Sequence, residues 1–176
     1  LSVIAGVSIT TQPTAQNVIE GNNTVFSVKA NGDGNLSYQW YSSKNNSNTG
    51  GTPITGATSS AYTVTSTTTG MSGTYYYCVI TQKYGSSTTT ISTNTALLTV
   101  KGKLTITKQP SGQDKLEGNN AVFSVTASGD GELSYQWYSN KNNSNTGGTK
   151  ISNATSSTYT TSAVTTAMNG TYYYCV

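Results

Sequence analysis

The sequence predicts an all-β protein that consists of two antiparallel β-sandwich domains in tandem. Three observations support this prediction. Side chains alternate with a period of two, as in Thr24, Phe26 and Val28 of "NTVFSVKA". Clusters of Gly, Asn, Asp and Ser separate such segments at intervals of about 8–12 residues, which is typical of sandwiches and barrels. The chain also repeats itself after 97 residues, about the length of one sandwich domain.

The repeat covers most of the chain. Val7–Val79 matches Leu104–Val176 at 50 of 73 positions without a gap. Solenoid repeats are much shorter, at roughly 20–50 residues, so this period indicates tandem domains. We predict the tail of a preceding repeat at 1–3, a first domain at 4–101 and a second domain at 102–176. The second domain ends at the counterpart of Val79 and is expected to lack the last strand, so the chain is interpreted as a window on a longer array.

The strands of the first domain follow in order from the alternating pattern. They are predicted in "NTVFSVKA", "LSYQWY", "AYTV", "YYYCVIT" and "TALLTV". Turn formers lie between them, in "NGDGN" at Asn31, "NTGG" at Asn48, "TGMSG" at Thr69 and "KYGSS" at Lys83. A last strand is expected at Ser92–Val100, paired with "YYYCVIT". No helix longer than about two turns is expected.

Composition excludes several classes of function. The chain has nine Lys, no Arg and a net charge of only +3, which argues against nucleic acid because phosphate binding needs clustered cations. It has no apolar run of the roughly 18 residues that a membrane helix needs. There is no His, the commonest general acid or base, and no pair of carboxylates recurs in both copies. We therefore predict no enzyme activity and no cofactor.

Metal binding is also not expected. The two cysteines lie a full period apart without His, which makes no zinc site. Asp33 and Asp130 each lie in a glycine-rich turn, but calcium needs six to eight oxygen ligands and these loops supply one or two side chains. The turns are better explained as tight connections in which Gly adopts a positive φ.

The order and spacing of six segments resemble the immunoglobulin-like repeats of large bacterial and archaeal cell-surface proteins. These segments are "ITTQP", "IEGNNTVFSV", "LSYQWY", "ITGATSSAYTV", "GTYYYCVIT" and "TALLTV", and the resemblance covers essentially the whole chain. It implies a two-sheet sandwich with Tyr62 and Val64 on strand E and Leu97–Val100 on strand G. The core residues that it implies are Phe26, Val28, Trp40, Tyr76 and Cys78, with Phe123, Val125, Trp137, Tyr173 and Cys175 as their copies.

The cysteine is where the sequence departs from antibody domains. Their strand B cysteine is replaced by Val28 and Val125, so a disulfide within a repeat is excluded. Two registers remain open for strand F, because a slip of one residue exchanges the two faces. One places Tyr76 and Cys78 inward, with the thiol as a small buried hydrophobe, and we favour it. The other places Cys78 outward, where it is available for a disulfide between subunits.

The surface offers two further candidate sites. Tyr41, Tyr75, Tyr77 and Tyr84 are candidates for an exposed aromatic surface that binds glycan or protein, although pairing between neighbouring strands explains them as well. Among the N-x-S/T sequences, only that of Asn45 and Asn142 recurs in both copies, which makes this loop the best candidate for glycosylation.

These observations favour a mechanical function outside the cell. We predict a non-catalytic, extracellular repeat of a cell-surface protein that forms a semi-rigid stalk or fibre. The expected partners are neighbouring repeats of the same chain, or identical subunits joined by strand addition. The alternative is an adhesion module that binds glycan or protein through the exposed tyrosines and the Asn45–Gly51 loop.

Overall fold

The computed structural model describes residues 3–176, so the predicted tail at 1–3 lies outside the described residues except for Val3. The chain folds into two compact units, Leu1–Gly102 (unit 1) and Lys103–Val176 (unit 2). Among the described residues, no helix is both long and apolar enough to cross a membrane. Within residues 3–176, the helical content of each unit is one short 3₁₀ turn, at Thr69–Met71 and Thr166–Met168.

The described part of unit 1 contains ten strands. In chain order they are β1 (Ser8–Thr11), β2 (Gln16–Ile19), β3 (Thr24–Ser27), β4 (Lys29–Asn31), β5 (Asn35–Ser43), β6 (Thr52–Pro53), β7 (Ala61–Val64), β8 (Thr74–Tyr84), β9 (Ser87–Ser92) and β10 (Ala96–Lys101).

The strands of unit 1 form two layers. One layer contains the pairs β1–β4 and β3–β7, and the other is a six-stranded sheet in the order β2–β10–β8–β5–β6, with β9 also paired to β8. All pairs are antiparallel except β2 and β10, which run parallel. Alternate residues of both layers point inward and form one core, in which Phe26, Trp40, Cys78, Ile80 and Leu98 have no exposed surface. The all-β immunoglobulin-like sandwich that the sequence predicts is confirmed.

The last strand differs from the prediction. Ser92–Val100 is not one strand, because the chain leaves the sheet between β9 and β10. Thr93 causes the break: its hydroxyl accepts a hydrogen bond from the Cys78 N–H and its own N–H donates to the Cys78 carbonyl, both at 2.9 Å. Thr93 is fully buried by these contacts, and the chain then continues along the first residues of β8.

Unit 2 repeats this architecture with seven strands. They are β11 (Thr105–Lys108), β12 (Val122–Ser124), β13 (Thr126–Ser128), β14 (Trp137–Asn140), β15 (Thr149–Lys150), β16 (Thr158–Thr160) and β17 (Tyr172–Cys175). One layer contains the pairs β11–β13 and β12–β16, and the other has the order β15–β14–β17. Its core cluster centres on Val125, Trp137 and Ala154.

Candidate functional site

The buried tryptophan of each unit is held in the same way. Trp40 is fully buried, and its Nε1–H donates to the Ser59 carbonyl at 2.9 Å. The Phe26 ring lies 6.4 Å from the indole between ring centroids. Trp137 is equally buried and donates to the Ser156 carbonyl at 2.9 Å, so the anchor is duplicated.

The thiol of unit 1 lies beside this tryptophan. Cys78 is opposite Trp40 in the register of β5 and β8, and it is fully buried. Tyr76, two residues earlier, stacks on Phe26 with ring centroids 4.7 Å apart, so Tyr76 and Cys78 both point into the core. Val28, 2% exposed, belongs to the same cluster and fills the position of the absent second cysteine.

Burial determines the chemistry of the thiol. Desolvation by burial raises the pKa of Cys78 to about 11, and a backbone hydrogen bond from Gln39 lowers it by less than burial raises it. A thiol with this pKa is almost entirely protonated at neutral pH, and it is the thiolate that reacts. Cys78 and Cys175 are both free cysteines. Cys78 is therefore an inert core residue.

The equivalent positions of unit 2 are less completely covered. Val125 and Trp137 are buried, whereas Phe123, Tyr173 and Cys175 are only half-buried. Burial still raises the pKa of Cys175. Phe123 and Tyr173 line one groove of unit 2, and Cys175 lines another.

Of the two explanations for the outward tyrosines, Tyr77 fits pairing between neighbouring strands and not an exposed binding surface. It stacks on Tyr41 on the face of the sheet away from the core, with ring centroids 5.1 Å apart and planes within 8°. Only 2% of Tyr77 is exposed, because the Asn45–Gly51 loop covers it. Tyr41 and Tyr75 are half-buried, and Tyr84 is exposed at the end of β8.

The Asn45–Gly51 loop and Tyr77 hold each other in place. The Gly51 N–H donates to the Tyr77 hydroxyl at 3.0 Å, and a Cβ at Gly51 would come within 2.9 Å of that hydroxyl. The Asn48 amide donates to the Thr93 carbonyl at 2.9 Å and fixes the other side of the loop. In unit 2 the Gly148 N–H donates to the Tyr174 hydroxyl at 3.1 Å. The loop is therefore an ordered cover over the sheet.

The other predicted surface positions lie as follows. Asn45 and Asn142 are both exposed at the start of this loop, which is accessible for modification. The Asp33 carboxylate accepts a hydrogen bond from the Ala5 N–H at 2.7 Å, and Gly34 beside it has φ +90°. Within residues 3–176 no three His, Cys, Asp or Glu side chains form a group suited to a metal ion.

Two protein families match this chain. The immunoglobulin domain family matches residues 105–176, which form almost all of unit 2. The family described as "Domain of unknown function (DUF8696)" matches residues 7–102, more than half of the chain. The chain belongs to the DUF8696 family. A search of curated proteins returned no similar sequence.

Solved structures place the DUF8696 chain among tandem immunoglobulin domains. The titin I-band fragment I67–I69 aligns over 99% of the chain and 65% of its own length, with a TM-score of 0.57 and 12% identity. The N-terminal four immunoglobulin domains of a Dscam1 isoform align over 98% of the chain and 42% of their own length (TM-score 0.51, 16% identity). Extracellular domains 3–5 of Drosophila OTK align over 98% and 57% (TM-score 0.51, 15% identity). The chain spans less than two thirds of each structure, and at these identities the likeness shows the fold.

Sequence reasoning missed three structural residues of the DUF8696 chain. Thr93 ends β9, Gly51 admits the Tyr77 hydroxyl, and the Gln39 side-chain amide donates to the carbonyls of Trp40 and Ile54. Gln39 and Gly51 are identical in the two copies, at Gln136 and Gly148. The sequence did offer a signal for the structural role of Gln39: a polar residue recurs directly before the core tryptophan in both copies.

Proposed function

We propose that the chain is a non-catalytic, extracellular structural repeat that forms a semi-rigid stalk or fibre of a surface protein. The observation that carries the proposal is the parallel pairing of β2 with β10 in unit 1. These strands lie near the two ends of the unit, and their register runs from Leu98 beside Gln16 to Lys101 beside Ile19. The Glu20 N–H extends the ladder by donating to the Lys101 carbonyl at 2.8 Å.

This pairing suits a unit that bears tension along the chain. Tension on the N-terminal side pulls β2 backward along its own axis, and tension on the C-terminal side pulls β10 forward. Because the two strands are parallel, these forces slide one past the other and load all bonds of the ladder together. An antiparallel terminal pair loaded at one end would instead open one bond at a time. A stalk repeat benefits from the first arrangement.

Composition and comparisons support an extracellular location for such a stalk. The surface is rich in Ser, Thr, Asn and Gly, and charged residues make up 9% of the chain. OTK domains 3–5 are described as extracellular. Titin I67–I69 is described as a 3Ig structure, which supports the tandem arrangement and not the location. The partners that we propose are neighbouring repeats of the same chain.

Single-molecule force spectroscopy tests the proposal. The chain is held at its two ends, and the unfolded chain of unit 1 has a contour length of about 350 Å at roughly 3.5 Å per residue. We expect Asn17→Pro or Val18→Pro to lower the unfolding force markedly, because Pro removes a ladder N–H and one of these two positions donates to β10. Val64→Ala, which weakens the core away from this ladder, is the control.

The effect of each variant on the unfolding force must be distinguished from its effect on the free energy of unfolding. If Val64→Ala lowers the free energy of unfolding as much as the Pro variants but leaves the unfolding force near that of the parent, the ladder carries the load. Equal unfolding forces for the parent and both Pro variants would refute the mechanical proposal.

Adhesion is the second candidate, and one observation favours it. The Asn45–Gly51 loop is fixed by Tyr77 and Thr93 in unit 1, and an equivalent loop is fixed by Tyr174 in unit 2. A preorganised exposed loop loses little entropy on binding. Saturable binding of a glycan or protein that is lost on shortening this loop would support adhesion.

A further inference from the structure

The outer edge of β7 is open in unit 1. β7 pairs with β3 on one side, and among the described residues no strand pairs with its other side. Unit 2 has the same edge, because there β16 pairs with β12 and with no other strand of residues 3–176. The open edge therefore recurs in both units. We call the segment Ala61–Thr65, which comprises β7 and the next residue, the β7 edge.

The ladder between β3 and β7 shows which backbone groups face outward. Along an antiparallel ladder, residue pairs that exchange two hydrogen bonds alternate with pairs that exchange none. The Val28 N–H donates to the Ser60 carbonyl at 2.9 Å, which makes Tyr62 the next bonded residue of β7. Ala61 and Thr63 belong to the non-bonded pairs. Their N–H and C=O groups consequently point away from β3, toward the open edge.

The same alternation holds in unit 2. The Val125 N–H donates to the Ser157 carbonyl at 2.9 Å. Thr158 and Thr160, which lie 97 residues after their counterparts in β7, therefore direct their backbone groups outward as well. Both side chains are exposed, as are those of their counterparts. A row of such groups is available for pairing with another chain.

The β7 edge lacks the features that usually block an open strand. Native edges carry charged side chains, Pro or a bulge that prevents pairing with other chains. Here no charged residue occurs between Lys44 and Lys83, no Pro lies within 54–82, and the register of β7 against β3 has no shift. In unit 2, residues 151–176 contain no charged residue and no Pro. Neither edge is therefore protected against a second strand.

A second copy of the same strand fits this edge. An antiparallel two-fold pair centred on Thr63 places Thr63 opposite Thr63 of the second copy. It also places Ala61 opposite Thr65 of the second copy, the next alternate residue, so the outward backbone groups meet in bonded pairs. Cross-strand threonine pairs are favourable, and no like charges face each other. On the core side, Tyr62 lies opposite Val64 of the second copy, which covers more of its half-buried ring.

We infer that the β7 edge is an interaction site for a second copy of this chain, paired antiparallel about a two-fold axis at Thr63. The contact uses the same surface on both copies, so it closes on itself as a dimer. It extends the layer of β3 and β7 from one copy into the other. This inference does not rest on the mechanical proposal, because the edge is open whether or not the unit bears load.

The affinity of a single edge is expected to be low. Stable complexes bury about 1,200–2,000 Å² in total, which a segment as short as Ala61–Thr65 on each copy does not reach. Association should therefore become significant only at high protein concentration. Disulfide trapping records such a contact even when the dimer is a minor species.

Trapping tests the register of the full chain residue by residue. Every variant carries Cys175→Ser, so that the added cysteine and the buried Cys78 are the only thiols. Thr63→Cys should cross-link to itself on oxidation, because the Cα atoms of a bonded pair lie about 5.5 Å apart, within disulfide reach. Ala61→Cys or Thr65→Cys alone should cross-link about tenfold more slowly or less, because each lies roughly 14 Å from its own copy. A mixture of these two variants should cross-link within a few-fold of the Thr63→Cys rate.

Variants that block the edge provide an independent readout. Thr63→Pro removes an outward N–H, which an edge strand tolerates, so the circular dichroism spectrum of the chain should not change. Sedimentation equilibrium should show association weakened by about tenfold or more, because both copies lose a donor. Thr63→Lys places two ammonium groups opposite each other at the axis and should weaken association as well.

The pattern of cross-linking decides the outcome. Fast cross-linking that is confined to Thr63→Cys and to the mixture supports the inference. It is overturned if Thr63→Cys forms dimers no faster than Ala61→Cys or Thr65→Cys alone. It is equally overturned if a folded Thr63→Pro or Thr63→Lys chain associates as tightly as the parent.

Discussion

Replacing Trp40 by alanine tests whether each unit is stabilised by its own core. The indole is fully buried, contacts Phe26 and Tyr62, and donates its N–H to the Ser59 carbonyl. Loss of a buried aromatic of this size costs about 3–5 kcal/mol. The Ser59 carbonyl also loses its donor, which adds about 1 kcal/mol. We expect unit 1 to lose about 4–6 kcal/mol of unfolding free energy.

The chain supplies its own reporter, since it has one tryptophan in each unit. In the Trp40→Ala variant, the remaining fluorescence comes from Trp137 and follows unit 2, while far-ultraviolet circular dichroism follows both units. With a urea m-value of roughly 1–1.5 kcal/mol/M, the midpoint of unit 1 should fall by about 3–6 M. The Trp137 transition should not move, because the two core clusters share no residue.

The phenylalanine variant separates packing from hydrogen bonding. Trp40→Phe keeps an aromatic ring but removes the donor to Ser59, so it should cost clearly less than Trp40→Ala. A circular dichroism midpoint that Trp40→Ala leaves unchanged would refute the burial argument. A Trp137 transition that shifts together with unit 1 would refute the claim of separate cores.

Three further predictions concern the thiols and the loop. Val28→Cys should form a disulfide with Cys78 on oxidation and stabilise unit 1 by about 4 kcal/mol for a loop of roughly 50 residues, as urea unfolding with and without reductant will show. The raised pKa of Cys78 means that folding favours the neutral thiol, so its contribution to stability is complete below pH 9 and is lost toward pH 11. Cys78→Ser should remove that part of the pH dependence. Gly51→Ala should destabilise unit 1 by about 1–3 kcal/mol because its Cβ meets the Tyr77 ring, whereas Gly6→Ala, with open space around it, should not; equal melting temperatures for the two variants would contradict the contact.

The sequence predicts the parts of the fold that depend on alternation. Phe26 and Trp40 lie on strands with a clear period of two, and both are fully buried. The register of β8 was harder to predict, because three consecutive tyrosines fit either register equally well. Only the contact of Tyr76 with Phe26 in the folded core distinguishes the two registers. Burial of Tyr77 was not predictable from its own strand, since its cover is a polar loop about 26 residues earlier.

The break at Thr93 illustrates a second limit. The pattern of "STNTALLTV" predicts one strand, and no Gly or Pro interrupts it. The interruption is caused by a side-chain hydroxyl that replaces a backbone acceptor for the Cys78 N–H. Such a replacement depends on where two distant segments meet, so it has no signature in the local sequence.

The valine in the place of a second cysteine also affects how a chain of near-identical repeats folds. Two repeats with two cysteines each could pair their thiols in three ways, and three repeats in fifteen, of which one is native in each case. With Val28 and Val125 in these positions and Cys78 buried, unit 1 matures without an oxidant or an isomerase. The native core of unit 1 then contains no bridge that reduction could break, and the two thiols of the chain leave a single possible cross-link where paired cysteines would leave several.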